Sequence, residues 1–377
     1  MAGIYIHIPF CKQACHYCDF HFSTTLRQKP RFLNALALEM ERRKEELTKS
    51  AISSIYFGGG TPSQLSASEL QAIIDKLSTF IRLENDAEIT LEANPDDLSE
   101  AYLKALRHTS VNRLSIGIQS FREEDLRWMN RAHNAQEAQQ CISWAKDAGF
   151  DNLTIDLIYG FPQLPLEQWK ENLERATALG IKHISSYCLT VEPGTALQHQ
   201  VKSGSFPKID DDLAAEHFNA MVEHLECNGY EHYEISNFAQ PGAYAKHNTS
   251  YWLAQPYVGL GPSAHSFDGT NRRWNVANNR KYYEGLEQGQ SFFELEYLTA
   301  RDRFNERMLT GLRTQWGVDL NRLKADFSAD FLAHFETSLN TAWMKPYLFQ
   351  EGTQLKLNKS GRLFADKIAS EFFMLQE

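Results

Sequence analysis

IYIHIPFCKQACHYC, residues 4–18, runs an alternating apolar segment directly into a tight group of thiols. The first part reads as a β-strand, because apolar side chains recur at every second position and β-branched and aromatic residues dominate. Cys11, Cys15 and Cys18 follow at Cys-x3-Cys-x2-Cys spacing, on one loop at the strand's C-terminal edge. Thiolates are soft ligands that select iron–sulfur clusters, zinc or copper(I). An ordinary four-iron cluster takes four cysteines, so a set of three leaves one iron open to a group that is not protein. A zinc knuckle competes with this reading, with His7, His16 or His21 as its fourth ligand. The spacing favours the cluster.

Strand-like and helix-like segments then alternate along the chain. Helical stretches at 31–48, 66–77, from 99, 123–148, 166–179 and 210–227 separate strand-like runs at 54–60, 88–95, 113–120, 152–160 and 183–190. The second helix carries a Ser-x-x-Glu capping box at Ser66 and Glu69. Strand–helix units in succession imply parallel strands joined by right-handed crossovers. Six such units are too few for the closed eight-unit barrel. The fold class expected is therefore α/β, a partial, open six-unit TIM-type barrel.

Composition limits the functions such a chain performs. With 377 residues and 42% hydrophobic content there is material for one large domain and a smaller one. The net charge of −10 argues against a nucleic-acid or anionic-membrane surface. No signal-peptide pattern and no membrane-length apolar run occurs. Cys141, Cys188 and Cys227 are scattered and do not form a disulfide framework. A cytoplasmic, reducing location is the expectation.

Polar residues fall at or just beyond the C-terminal ends of the strands, where barrel folds place their active sites. Gly58, Gly59 and Gly60, before Thr61, offer bare backbone to a ligand, although a glycine run taken alone is better explained by a tight turn. Glu92, Gln119 and Asp156 each interrupt an apolar strand. Any one of them alone reads as a hydrogen-bonded barrel residue; together around one rim with the cysteine loop they read as a site. Arg131 offers a cation for a ligand carboxylate, against an ordinary surface arginine.

YIHIPFCxxxCxYCDF, GGGTP, LEANP, RLSIGIQSF, MNRAH and IDLIYGFP together resemble the radical S-adenosylmethionine (SAM) superfamily. Within it they resemble the oxygen-independent coproporphyrinogen III oxidase (HemN-like) family, and more closely its HemW branch of heme chaperones. The resemblance implies a 4Fe–4S cluster on Cys11, Cys15 and Cys18, with SAM chelating the open iron. It implies SAM contacts at Tyr5, Tyr17, Gly59, Gly60, Thr61, Glu92, Gln119, Arg131 and Asp156. It also brings the backbone near Thr190 and the region around His265 toward the adenosine or a second ligand. Arg131 would pair with the methionine carboxylate and Glu92 with its ammonium, with Gln119 and Asp156 on the ribose. Two departures from the oxidase pattern point to the chaperone branch: Phe20 stands where the oxidases carry a further cysteine, and only a few residues precede Tyr5.

Further along, HNTSYW resembles the HNxxYW motif of HemW proteins, which makes His247, Tyr251 and Trp252 heme candidates. A neutral imidazole ligates heme iron and aromatic rings pack on a porphyrin; the alternative is a histidine that begins a helix among core aromatics. From about residue 282 the pattern turns strongly helical and ends in a short hairpin and helix, 348–373. This reads as a mainly helical, winged-helix-like module serving as a lid or docking unit. The domain division expected is 1–270 for the barrel with its extension and 281–377 for the C-terminal unit.

The resulting expectation is a heme chaperone. It would carry heme as cargo, be dimeric in at least one state, and deliver heme to respiratory proteins, touching membrane-associated recipients transiently. No catalytic residue is assigned. The competing expectation is oxygen-independent oxidation of coproporphyrinogen III.

Overall fold

The computed structural model of the chain describes residues 2–375. In chain order the elements are β1 (Ala2–Ile8), α1 (Lys29–Arg42), α2 (Lys44–Leu47), β2 (Ile52–Gly59), α3 (Ala67–Ser78), β3 (Leu83–Ala93) and α4 (Glu100–Leu106). Next come β4 (Arg113–Gln119), α5 (Glu123–Trp128), α6 (Ala135–Asp147), β5 (Leu153–Tyr159), α7 (Leu166–Ala178), β6 (His183–Cys188), α8 (Ala196–Ser203) and α9 (Asp211–Cys227). Then follow β7 (Glu231–Glu234), β8 (Asn237–Ala239), α10 (Lys246–Trp252), β9 (Tyr257–Leu260), β10 (His265–Phe267), β11 (Asn271–Asn275), α11 (Asn279–Gln288) and β12 (Phe293–Tyr297). The chain closes with α12 (Ala300–Leu312), β13 (Val318–Asp319), α13 (Leu320–Asp326), α14 (Ala329–Leu339), β14 (Leu348–Glu351), β15 (Gln354–Leu357), α15 (Lys359–Arg362) and α16 (Ala365–Glu371).

Strands β1 to β6 lie side by side in sequence order and parallel. The sheet is open, and it is wider than the sequence predicts. Beyond β6 it adds β8, antiparallel to β6, and then β7, antiparallel to β8; beyond β1 it adds β9, parallel, and then β10, β11 and β12. Alternation of side chains across each strand sends Ile4, Ile6, Ile8, Ile55, Phe57, Leu91, Leu114, Ile116 and Ile155 to the helix-covered face, where all are fully buried. Burial of each such side chain stabilises the fold by about 1.5–3 kcal/mol before entropy is counted.

The helix expected over 31–48 breaks at Arg43, which leaves helical geometry at φ −104°, ψ 13°. Its buried guanidinium donates to the Gly259 carbonyl at 2.5 Å and to Ser266 Oγ at 3.0 Å, so it ties α1 to β9 and β10. The C-terminal unit has its own core, built from Phe304, Met308, Val318, Phe335, Leu355 and Ile368 among others. Its strands form a separate sheet in the order β13-β15-β14. Tyr282, Tyr283 and Leu286 of α11 belong instead to the barrel core, and β12 pairs with β11.

Candidate functional site

Register decides which side chains face the concave side of the sheet. Tyr5 pairs with Tyr56, His7 with Gly58, Tyr56 with Thr90, Glu92 with Ser115 and Asp156 with Ser185. Paired residues point to the same face, so these positions form one polar inner surface. Its upper layer, at the strands' C-terminal ends, opens into a cavity of about 410 Å³. Cys11, Cys15, Cys18 and Tyr17 line one wall of it; Gly59, Gly60, Thr61 and Glu92 form the floor near β2 and β3. Gln119, Arg131, Asp156 and Thr190 line the remainder.

The glycine run has a packing cause. Gly59 adopts φ +105°, and a Cβ there would stand 2.4 Å from the His7 ring. A Cβ on Gly60 would meet the Ile8 and Phe10 carbonyl oxygens at 2.8 Å. Only glycine lets the β2 end lie this close to the cysteine loop. The contact is made through the Gly60 N–H on Ile8 O at 2.9 Å and the Thr61 N–H on Phe10 O at 2.6 Å. Thr61 Oγ1 also donates to Cys11 Sγ at 3.4 Å.

Arg131 is no surface arginine. Its guanidinium donates to Asn94 Oδ1 at 2.6 Å, Gly117 O at 2.8 Å, Cys15 Sγ at 3.4 Å and Tyr17 OH at 3.4 Å. Its Nε is buried with no hydrogen-bond partner. Gln119 sits at φ +67°, beyond a register shift between Ile116 and Gln119 that turns its side chain back beside Gly117. A non-glycine residue in that region is strained, and strain of this kind concentrates at binding sites.

Two carboxyls stand in the same cavity without a cation bonded to either. Glu92 accepts from Tyr56 OH at 2.7 Å and from the Gly59 N–H at 3.3 Å. Burial, reinforced by the Asp156 charge, pushes Glu92 up to about 7. Burial likewise pushes Asp156 up to about 6. Burial raises the thiols of Cys11 and, to about 12, Cys18. Buried carboxyls and thiols with raised pKa values favour arrival of positive charge, because a cation restores the ionised forms. Three half-buried thiols, an arginine with a spare donor and two acids thus fit a thiolate-bound cluster together with a zwitterionic ligand. Cys11, Cys15 and Cys18 would hold the cluster; Arg131, Glu92 and Asp156 would bind the ligand's charged and hydroxyl groups.

Other expected residues lie elsewhere. Tyr5 does not line the cavity; its OH is 3.2 Å from His7 Nδ1, within the inner face. His265 is exposed on β10, its ring stacked on Trp274 at 6.0 Å. His247 is buried and saturated: Nδ1 is 2.8 Å from Ser54 Oγ and Nε2 is 2.8 Å from Tyr251 OH. It stacks on Tyr56 at 5.1 Å, and burial, followed by the Arg113 charge, pushes it down to about 3. The α10 N–H groups of Lys246 and His247 donate to Glu88 at 3.2 Å each, so this helix plugs the lower inner face. Trp252 lies under Arg313 at 5.2 Å. Both ring nitrogens of His247 are thus engaged within the inner face of the sheet.

Asn94, Ser115, Gly117, Tyr187 and Cys188 also line the cavity and were not singled out from sequence. Asn94 carried a signal, since it lies in LEANP beside Glu92; for the others, a polar or small residue in a strand was the only sign.

The radical SAM superfamily family model matches residues 5–176, and the HemN C-terminal domain model matches residues 298–364. The heme chaperone HemW of Bacillus subtilis is 32% identical over 99% of both chains. The HemW of Mycobacterium tuberculosis H37Rv is 33% identical over 97% of this chain and 93% of its own. The crystal structure of the coproporphyrinogen III oxidase HemN from Escherichia coli superposes with a TM-score of 0.85 at 24% identity, covering 98% of this chain and 89% of that one.

Proposed function

This chain belongs to the HemW family within the radical SAM superfamily, and from that premise we propose that it is a heme chaperone that holds a 4Fe–4S cluster and SAM. The observation that carries the reading is the convergence of Cys11, Cys15, Cys18, Arg131, Glu92 and Asp156 on one cavity in a chain that matches 99% of the Bacillus subtilis HemW. When bound, the cluster and SAM supply one-electron chemistry. The chain's own residues position and neutralise. Arg131 offers its guanidinium beside Cys15 to a carboxylate, Glu92 offers a carboxylate to an ammonium, and Asp156 offers acceptors to hydroxyls. Tyr17 and the apolar wall at Ile158 and Leu189 limit water.

The finer reading is that heme is the cargo, that a dimer forms in at least one state, and that recipients are respiratory heme proteins, some at a membrane. Among the described residues no helix is long and apolar enough to cross a membrane. The unit from α12 onward would serve as the docking or lid module, and the barrel up to β12 as the holding module.

The test is anaerobic reconstitution of the full chain with iron and sulfide, followed by titration with hemin and, in parallel, incubation with SAM, reductant and coproporphyrinogen III. About four irons per chain, saturable hemin binding and no protoporphyrinogen IX are expected. Alanine at Cys11, Cys15 or Cys18 should abolish the cluster, whereas alanine at Cys141, Cys188 or Cys227 should leave it intact. Turnover to protoporphyrinogen IX would overturn the chaperone reading.

A further inference from the structure

The concave face does not end at the cavity. Tyr257 pairs with Gly3 and Gly259 with Tyr5, so β9 continues the inner face beyond β1. Phe267 pairs with Tyr257, His265 with Trp274, and Phe267 with Arg272. His265, Phe267, Trp274 and Arg272 therefore share the side of the sheet that carries Tyr5, His7 and Glu92. β9 runs parallel to β1 and β10 runs back, so His265 stands at the same end of the sheet as the cysteine loop. The turn between them is pressed onto β1: a Cβ on Gly261 would stand 2.5 Å from His7 O.

His265 differs from His247 in every property that decides iron ligation. Its side chain is exposed, and among the described residues none hydrogen-bonds either of its ring nitrogens. Its plane is held at 27° to that of Trp274, so the imidazole is oriented without being consumed. Partial desolvation, and then the Arg272 charge, lower its pKa, which keeps the ring in the neutral form that binds metal. Phe267 and Tyr257, 6.5 Å apart, extend an apolar shelf below it. Arg272 is bound to Glu306 at 3.0 Å; a half-exposed pair of this kind is worth little, which leaves the guanidinium able to take a propionate. Glu294 and Glu296 lie opposite Trp274 and Arg272 and disfavour an anion at the outer edge.

We propose that the heme cargo docks on this β9–β11 shelf beside the cavity, with His265 as its axial ligand, Trp274 orienting the imidazole and Arg272 facing a propionate. The assignment rests on the chaperone reading and adds the site that reading lacks. It also places the porphyrin within the same concavity as the cluster loop, and it leaves His247 to the core.

The experiment is hemin titration of the full chain, comparing the parent with His265→Ala, His265→Cys and, as a control, His108→Ala, an exposed histidine on another part of the surface. The parent should give a spectrum of imidazole-ligated ferric heme. His265→Ala should lose that signature and bind roughly tenfold or more weakly. His265→Cys should replace it with a thiolate-ligated spectrum, which a loss of folding would not produce, and His108→Ala should match the parent. Parent-like affinity and spectrum in His265→Ala would overturn the assignment alone. Failure of the parent to bind hemin would overturn both the assignment and the chaperone reading.

Discussion

The guanidinium of Arg131 lies 3.4 Å from Cys15 Sγ, so the cation expected to receive a ligand carboxylate also touches the cluster loop. One side chain would therefore serve both a bound ligand and the cysteine loop. Arg131 further joins the loop to β4 through Gly117 O and to the β3 end through Asn94 Oδ1.

Arg131→Ala should accordingly do more than weaken SAM binding. It strands two acceptors in a half-buried site, a loss of about 1–3 kcal/mol in folding stability. It should also shorten the lifetime of the reconstituted cluster. Denaturant unfolding of the apo chain and iron content after gel filtration read the two effects. Parent-like stability and iron retention together would show that the Cys15 contact carries no weight.

Glu92 gives a pH dependence whose sign follows from its environment. Burial and Asp156 raise it from 4.5 to about 7, so the folded state favours the protonated acid. Its contribution is fully present below the unfolded value and is lost as pH rises through about 7. Apo stability should fall over that window, and Glu92→Gln should flatten the fall. SAM needs the ionised carboxylate for its ammonium, so its affinity should rise over the same window. A SAM affinity independent of pH between about 5 and 8 would remove Glu92 from the binding role.

Gly59→Ala should be among the most damaging single methyl additions. The residue sits at φ +105° and the new Cβ would overlap the His7 ring. Strain of this kind costs on the order of 1–3 kcal/mol, and relief requires the His7 ring on β1 to move. A lowered Tm and poor cluster assembly are expected together; a variant with the parent's Tm would mean that β2 and β1 are less closely packed than the geometry states.

His247→Ala should produce a stability defect without a change of heme spectrum. It removes a buried ring that stacks on Tyr56 and meets Tyr251 edge-on, and it leaves the Ser54 hydroxyl without its partner. A loss of about 2–4 kcal/mol follows from cavity and hydrogen-bond terms together. Thermal unfolding and the Soret band of hemin-loaded protein test the two halves separately. An altered Soret band at unchanged stability would return His247 to the ligand candidates.

The parallel strand–helix succession and the three-thiol spacing were legible in the sequence alone. Cys11, Cys15 and Cys18 are close together in the chain, Glu92 and Gln119 fall at strand ends, and Asp156 interrupts an apolar strand, so local spacing and period-two alternation expose them. Helix starts were legible for the same reason: the Ser66–Glu69 capping box forms as its spacing predicts. Register, closure and availability were decided only by the tertiary structure. The short strands β9 to β12 carry too few residues for a periodic signal, yet they widen the sheet and carry Tyr257, His265 and Trp274 onto its concave face. The break of α1 at Arg43 depends on carbonyl and hydroxyl partners more than two hundred residues away. His247 and His265 are both histidines in aromatic surroundings in the chain. Whether a ring nitrogen is already hydrogen-bonded depends on which strand lies across from it, and pairing between distant segments settles that.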